Sequence, residues 1–283
     1  MLSKYLSLVK FSHTIFALPF AIIGFSLATV SYPENFHWKI LFFVLLCMVF
    51  ARSAAMAFNR YIDRKIDTEN PRTAIREIPS GVIKPESALI FAIINSVLFI
   101  GATFFINKIC VYLSPIALLM VLGYSYTKRF TYLCHLILGL GLSLAPIGAY
   151  LAVSGKFDWL PLFFSFAVLF WVSGFDIIYA LQDASFDKTQ KLYSIPASFG
   201  ISKALMMSTV FHFAAIFFIA FAGFYADFGK WYWIGAAIFF ILMIYQHTLV
   251  KPNDLSKVNL AFFTTNGIAS VIFAGFVILE LLM

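Results

Sequence analysis

The sequence predicts an all-α polytopic membrane protein with about nine transmembrane helices. Of its 283 residues, 62% are hydrophobic and only 12% are charged, whereas a soluble domain is about 25% charged. The mean hydropathy is +0.92, and no segment has the alternating apolar pattern of a membrane-spanning β-strand. These observations exclude a soluble globule, a disordered chain, a disulfide-rich secreted domain and a nucleic-acid-binding protein.

A transmembrane helix needs about 20 mostly apolar residues, and nine stretches meet or nearly meet this length. They span residues 14–32, 38–58, 87–106, 109–124, 133–153, 159–181, 205–226, 231–250 and 260–281. The first stretch follows Lys4 and Lys10 and so resembles a signal peptide, but it is longer than the apolar core of one and eight further stretches follow. We therefore interpret it as a retained helix and residues 1–283 as one membrane domain.

Lysine and arginine are distributed unevenly between the loops. Alternating loops place 15 of these 20 residues on the side of the N-terminus and four on the other side, with Arg52 inside the second stretch. Because Lys and Arg are enriched on the cytoplasmic side of membrane proteins, the N-terminus and the base-rich loops are predicted to be cytoplasmic. The net charge of +7 is therefore interpreted as a topology signal.

Two groups of polar residues lie at helix ends on this same side. The first, here called the first carboxylate group, consists of Asn59, Asp63 and Asp67. The second carboxylate group consists of Asp176, Asp183 and Asp187. A spacing of four residues places side chains along one face of a helix, about 6 Å apart. A shift of 120 residues takes Asp63 to Asp183 and Asp67 to Asp187. This shift predicts two pseudo-repeated halves, whose motifs lie on the second and sixth helices.

Placing carboxylates at the membrane edge is unfavourable in free energy, and neighbouring carboxylates repel one another. Their presence there therefore indicates a functional site. Mg²⁺ would relieve this repulsion, because it prefers oxygen ligands and is held by one or two carboxylates together with substrate phosphates. Neighbouring Arg and Lys side chains would attract the same anion. The two groups therefore predict two Mg²⁺ ions that bridge a diphosphate. A merely solvated polar surface explains one such group, but it does not explain two groups with matched spacing.

Other polar residues give weaker signals. Arg52 fits a topological or internal pairing role as well as a catalytic one. The five histidines are not predicted to cluster, and four of them are interpreted as packing or interface residues: His13, His135, His212 and His247. The three cysteines have no CxxC spacing and leave an odd count, so they predict neither a disulfide framework nor a zinc site.

Taken together, these motifs resemble the UbiA-type superfamily of intramembrane aromatic prenyltransferases. The first group matches an Asn-x3-Asp-x3-Asp motif that continues through residues 70–73 and 76–81. The second motif is met by Asp176, Tyr179, Asp183 and Asp187, followed by residues 194–196. Residues 124–131 resemble the Tyr-x3-Lys element, and residues 145–149 resemble the signature of the fifth helix. Lys191 and Lys10 depart from the usual Gly and Arg, but neither departure removes a metal ligand.

The resemblance implies helices around a central apolar cavity with a polar cytoplasmic mouth. It also implies transfer of a polyprenyl group from its diphosphate to an aromatic ring carbon. The implied metal ligands are Asn59, Asp63 and Asp67 for one Mg²⁺, and Asp183 and Asp187 for the other. The implied diphosphate-binding residues are Lys128 and Arg72, with Arg60, Arg129 and Lys10 as weaker candidates. Asp176 and Tyr179 are the candidate catalytic residues, which would orient the acceptor or take a proton.

Residues 10–14 and 124–131 resemble equally the 4-hydroxybenzoate polyprenyltransferases and the related enzymes of the futalosine route of menaquinone synthesis. The resemblance as a whole implies 4-hydroxybenzoate as the acceptor, in quinone synthesis, with a naphthoate or futalosine-type acceptor as the alternative. A secondary transporter would place its carboxylates near the bilayer midplane, and a CDP-alcohol phosphotransferase would carry an Asp-Gly-x2-Ala-Arg motif that is absent from this sequence. The expected partners are polyprenyl diphosphate, the aromatic acceptor and the lipids of the inner membrane, with no nucleic acid and no obligatory protein partner.

Overall fold

The computed structural model describes residues 2–9 and 11–283, which form mainly α-helices. The helices are α1 (Leu2–Leu8), α2 (Leu18–Ser31), α3 (Trp38–Glu69), α4 (Pro85–Thr103), α5 (Lys108–Thr127), α6 (Cys134–Ser154), α7 (Trp159–Ala180), α8 (Ala184–Thr189), α9 (Ile195–Phe199), α10 (Ile201–Tyr225), α11 (Lys230–Leu249) and α12 (Asn266–Leu282). Short 3₁₀ segments cover Phe11–Phe16, Pro33–Asn35 and Leu181–Asp183, and a π-helical segment covers Leu260–Thr265. Within this described part of the chain, nine segments are long and apolar enough to span a membrane, which confirms the predicted fold class.

The largest difference from the predicted helix boundaries is at the end of α3. This helix is 32 residues long and continues to Glu69, whereas the apolar stretch ends at residue 58. Its last turns are polar and carry the first carboxylate group, so hydropathy alone does not mark them. The helix ends where Asn70 precedes Pro71, because a residue before proline disfavours helical angles. Asn70 has φ −90° and ψ 116°.

Side-chain caps define helix ends that the sequence leaves open. The boundary between the third and fourth apolar stretches lies at Asn107, whose side-chain oxygen accepts the backbone N–H of Cys110 at 3.0 Å. Asp158 accepts the N–H of Leu160 at 3.1 Å and caps α7 in the same way. Such caps satisfy N–H groups that have no partner within the helix. Gly155 ends α6 with φ +63°, a conformation that glycine adopts without strain.

The chain divides into two compact units. The first comprises Met1–Thr14 and His37–Tyr126, and the second comprises Ile15–Phe36 and Thr127–Met283. In the first unit, α3 packs along α4, and the ring of Tyr5 on α1 lies 4.7 Å from that of Phe91. Leu8 and Ala57 are buried in the same apolar cluster. The first carboxylate group thus lies on the best-packed helix pair of its unit.

The second unit has a core of aromatic rings around Trp171 on α7. Trp171 is fully buried, and its ring lies 5.3 Å from that of Phe20 and 5.6 Å from that of Phe239. Its indole Nε1 donates a hydrogen bond to Asn266 Oδ1 at 2.8 Å. Since a buried indole N–H needs an acceptor, this bond joins α7 to the start of α12. Asp176 and Tyr179, the first two residues of the second motif, lie near the end of this well-packed helix.

Close backbone contact between α2 and α6 depends on a glycine, and it leads to a prediction about stability. A methyl group built at Gly24 would overlap the backbone carbonyl of Pro146. We expect Gly24→Ala to lower the free energy of unfolding by about 2 kcal/mol, or roughly 5 °C in melting temperature. The matched control is Gly275→Ala on α12, because a methyl group there meets no atom within 4 Å. An equal melting temperature for both variants would contradict this account of the contact.

Candidate functional site

The first carboxylate group lies on one continuous stretch of α3, as its spacing predicts. Asn59 donates a side-chain N–H to Asp63 Oδ2 at 3.0 Å. This bond directs the amide nitrogen at the carboxylate and leaves the amide carbonyl oxygen of Asn59 for another partner. The predicted ligands Asn59 and Asp63 are therefore already in contact, one helical turn apart.

Asp67, one turn further along α3, is only 4% exposed. Its Oδ1 pairs with Arg76 Nη1 at 2.7 Å, and the Thr73 hydroxyl donates to its backbone carbonyl at 3.1 Å. Its Oδ2 is buried without a hydrogen-bond partner. The segment after α3 thus folds back onto the end of the helix and holds Asp67 with one oxygen engaged and the other not.

The predicted diphosphate-binding residues of the first unit differ in their surroundings. Arg60 is buried and is attracted electrostatically to Asp67 and Glu77, so its charge acts on the carboxylates of its own unit. Arg72 is half-buried in the loop after α3, where its backbone N–H donates to Asn70 Oδ1 at 3.0 Å. Lys10 lies outside the described residues.

The second motif does not lie on one uninterrupted α-helix. Asp176 and Tyr179 belong to α7, which ends at Ala180, and the chain then tightens into a 3₁₀ turn before α8 begins. Gln182 Nε2 donates to the carbonyl oxygen of Tyr179 at 3.2 Å, so the tightened turn retains a hydrogen bond. Tight 3₁₀ turns are frequent at helix ends. The two motifs, which are 120 residues apart, therefore share the spacing of their carboxylates along the sequence. They differ in backbone conformation, because only the first lies on a continuous α-helix.

Asp183 and Asp187 lie on either side of the start of α8 and are both buried. Asp187 is 0% exposed, and its Oδ2 accepts the Ser194 hydroxyl at 3.0 Å. Lys128 Nζ lies 2.7 Å from Asp187 Oδ1, close enough for an ion pair, although it is not aligned for a hydrogen bond. A predicted metal ligand and a predicted diphosphate-binding residue are thus in direct contact.

The segment 193–195 makes hydrogen bonds to Lys128, Asp187 and His135. The backbone N–H of Tyr193 donates to the carbonyl oxygen of Lys128 at 2.8 Å. The Ser194 hydroxyl donates to Asp187, and the backbone N–H of Ile195 donates to His135 Nε2 at 3.3 Å. Residues 193–195, which overlap the predicted motif at residues 194–196, therefore hold Lys128, Asp187 and His135 in place.

Tyr179 faces an aromatic ring that the π-helical segment presents. The ring centroids of Tyr179 and Phe262 are 4.2 Å apart and tilted by 30°. Phe262 also lies 5.4 Å from both Phe16 and Phe175. A π-helical turn inserts one extra residue into a helix and often occurs at functional sites. Here it aims Phe262 at a residue of the second motif.

Asp176 has a partner that the sequence alone did not reveal. Its Oδ2 lies 2.6 Å from Nδ1 of His135, which is 41 positions away in the chain. His135 was interpreted as a packing residue, and it is buried, but it also makes this polar contact. A single histidine within an apolar stretch carries no spacing that would have pointed to Asp176.

The donor atoms of both groups fit Mg²⁺, which prefers oxygen ligands. Asp67 Oδ2 is buried without a hydrogen bond, whereas Asp187 Oδ1, which also makes none, is paired with the Lys128 ammonium group at 2.7 Å. Burying an oxygen such as Asp67 Oδ2 destabilises the fold unless a cation or a hydrogen-bond donor satisfies it. In the described ranges, no three His, Cys, Asp or Glu side chains form a ready-made metal cage.

The chain is similar to known proteins over most of its length. The model of the UbiA prenyltransferase family matches residues 17–268, a range that contains both carboxylate groups. A 4-hydroxybenzoate octaprenyltransferase from Aliivibrio fischeri (strain MJ11) is 32% identical over 241 residues, which cover 83% of this chain and 82% of the relative.

Solved structures give the same result for the fold. A UbiA homolog from Aeropyrum pernix K1, in its apo form, has a TM-score of 0.85 and 30% identity, covering 95% of this chain and 98% of the homolog. A UbiA homolog from Archaeoglobus fulgidus bound to DMAPP and Mg²⁺ has a TM-score of 0.76 and 20% identity, covering 99% of each chain. At that identity the second comparison shows a common fold.

Proposed function

Because the chain belongs to the UbiA prenyltransferase family, we propose that it transfers a polyprenyl group from its diphosphate to a ring carbon of 4-hydroxybenzoate. The proposal rests mainly on the family match, which spans both carboxylate groups. The acceptor follows from the names of relatives about 30% identical to this chain. In this reaction the allylic C–O bond breaks, a C–C bond to the ring forms, and the ring carbon loses a proton.

We assign one Mg²⁺ to Asn59, Asp63 and Asp67, and a second to Asp183 and Asp187. Bound Mg²⁺ would stabilise the negative charge that develops on the departing diphosphate. The support from this chain is the set of buried carboxylates, of which Asp67 has one oxygen without a hydrogen bond and Asp187 has one that faces the Lys128 ammonium group. Ser194 and Arg76 each hold the other oxygen of such a carboxylate and so fix its orientation.

Lys128 is the strongest candidate for binding the diphosphate. Its side chain is 34% exposed while it pairs with Asp187, so it can reach an anion beside that carboxylate. Arg72 is the second candidate, and Arg60, Arg129 and Lys10 are weaker ones. Arg60 is the least accessible of the described candidates, because it is buried beside carboxylates of its own unit.

Asp176 and Tyr179 are proposed to position the acceptor. The Asp176 side chain is 22% exposed, so its carboxylate can accept a hydrogen bond from a phenol. Tyr179 and Phe262 provide an aromatic surface beside it, which suits a flat ring. An allylic cation must be kept from water, and the apolar surroundings of this part of α7 serve that need.

The nine apolar helices found among the described residues fit a multi-pass membrane protein. We propose that it lies in the inner membrane with its N-terminus and its site on the cytoplasmic side. The support is that 15 of the 20 Lys and Arg lie on that side in the topology that the sequence predicts.

The test is to supply membranes that contain the protein with Mg²⁺, a polyprenyl diphosphate and a panel of aromatic acceptors, and to identify products by mass. We expect prenylated 4-hydroxybenzoate, its loss with a chelator, and its return when Mg²⁺ is added back. A product only from a naphthoate or futalosine-type acceptor would overturn the choice of acceptor. The absence of any prenylated product would overturn the proposed activity. Membranes with the Asp63→Ala protein are the matched control.

A further inference from the structure

His135 makes two hydrogen bonds that define the position of its ring proton. Its Nδ1 lies 2.6 Å from Asp176 Oδ2, and its Nε2 accepts the backbone N–H of Ile195 at 3.3 Å. A backbone amide can only donate, so Nε2 acts as the acceptor in this contact. Nδ1 is therefore the nitrogen that donates to Asp176.

The surroundings of the His135 ring hold it in one orientation, in which Nδ1 faces Asp176. The His135 side chain is 3% exposed, and the Ser173 hydroxyl donates to the His135 backbone carbonyl at 3.2 Å. Ile195, the donor to Nε2, is fully buried and follows Ser194, which is bonded to Asp187. The orientation of the ring is thus fixed by α6, by α7 and by the segment before α9.

From this geometry we infer that His135 is a positioning residue for Asp176, which rests on the proposed function because Asp176 is there the group that meets the acceptor. His135 donates to one oxygen of Asp176 and so fixes the plane of the carboxylate. The Asp176 side chain remains 22% exposed, so the carboxylate is held from the inside while it faces the acceptor. His135 is too buried to touch the acceptor and acts only through Asp176. A histidine oriented by one partner so that it fixes another group is a recurring feature of functional sites.

Two amide variants separate this role from a merely structural one. In His135→Asn, the side-chain N–H₂ occupies the place of Nδ1–H and can still donate to Asp176, but the bond from Ile195 is lost. In His135→Gln, the longer amide reaches the Ile195 N–H, but it no longer donates to Asp176 from the same place. Each variant loses one hydrogen bond, so the two perturbations are of similar size. His135→Asn keeps the bond to Asp176, whereas His135→Gln keeps the bond from Ile195.

The experiment measures KM and kcat for the acceptor and for the polyprenyl diphosphate, together with melting temperature. We expect His135→Gln to raise the acceptor KM at least tenfold, and His135→Asn to keep it within about threefold of wild type, guided by the effects of similar supporting residues. The diphosphate KM should change little in both. An equal loss in both variants, or a loss in the diphosphate KM as large as in the acceptor KM, would overturn the inference.

A double variant provides a second test, even if one single variant folds poorly. Asp176→Asn should raise the acceptor KM by itself, and adding His135→Asn should then cause little further change, because His135 acts through the carboxylate. A full additional loss would show that His135 acts by another route. Wild-type turnover with the same acceptor tests the proposed function separately. A wild type that prenylates while the variants behave alike contradicts only the role of His135.

Discussion

Asp63→Ala and Asp183→Ala are each expected to abolish Mg²⁺-dependent prenyl transfer, with a loss of at least about a thousandfold. Each change removes a carboxylate from one proposed Mg²⁺ site. A metal ion that stabilises a departing anion contributes several kcal/mol, and about 4 kcal/mol corresponds to a thousandfold in rate. The measurement is initial rate against Mg²⁺ concentration, with the amount of inserted protein checked in the same membranes.

The matched control for these variants is Asp254→Ala. Asp254 lies in an exposed loop and accepts hydrogen bonds from the Ser256 hydroxyl and backbone N–H, which lower the pKa of its carboxyl. It therefore stays charged at neutral pH, but it lies outside both carboxylate groups. We expect normal turnover for this variant. Near-normal turnover for Asp63→Ala or Asp183→Ala would refute the metal assignment.

Lys128→Met is expected to have the second-largest effect, on stability as well as on turnover. Asp187 is 0% exposed and its cationic partner is Lys128 at 2.7 Å. Removing one partner of a buried ion pair costs about 3 to 5 kcal/mol. Because the lysine is one-third exposed, we expect a smaller loss of about 2 kcal/mol. The kcat/KM for the diphosphate should fall about a hundredfold, because one charge-assisted contact to the anion is lost.

The dependence of the stability of Lys128→Met on Mg²⁺ tests the assignment of Asp187 as a Mg²⁺ ligand. If an ion binds Asp187, added Mg²⁺ compensates the unpaired carboxylate and should raise the melting temperature of Lys128→Met more than that of wild type. Lys188→Met is the matched control, because Lys188 is next to Asp187 in sequence but exposed. A melting temperature of Lys128→Met that does not respond to Mg²⁺ would argue against a cation at Asp187.

The helices were largely predictable from the sequence, because a stretch of about 20 apolar residues has one stable form in a bilayer. The segments that the sequence described less well are polar. The end of α3 follows from the four-residue spacing of Asn59, Asp63 and Asp67, although not from hydropathy. The 3₁₀ turn at Leu181–Asp183 has no comparable signal, because its tightening depends on tertiary packing.

The candidate site was predictable wherever its residues recur at regular spacing. Asp63, Asp67, Asp183 and Asp187 were identified in this way, and their roles as ligands remain predictions. The contact of His135 with Asp176 and the bond from Ser194 to Asp187 were not predictable, because they join residues whose separation in the chain follows no helical period. Such contacts depend on how α6, α7 and the segment before α9 pack.

The segment 193–195 has a consequence for how this protein can diverge. Three consecutive residues contact Lys128, Asp187 and His135, which are assigned to the leaving group, the ion and the acceptor. A change in the path of this short segment would therefore disturb all three tasks together. New acceptor preferences are more accessible through Phe262, whose ring meets Tyr179 without belonging to that segment. Selection for a different aromatic substrate should accordingly spare residues 193–195 and act on the π-helical turn.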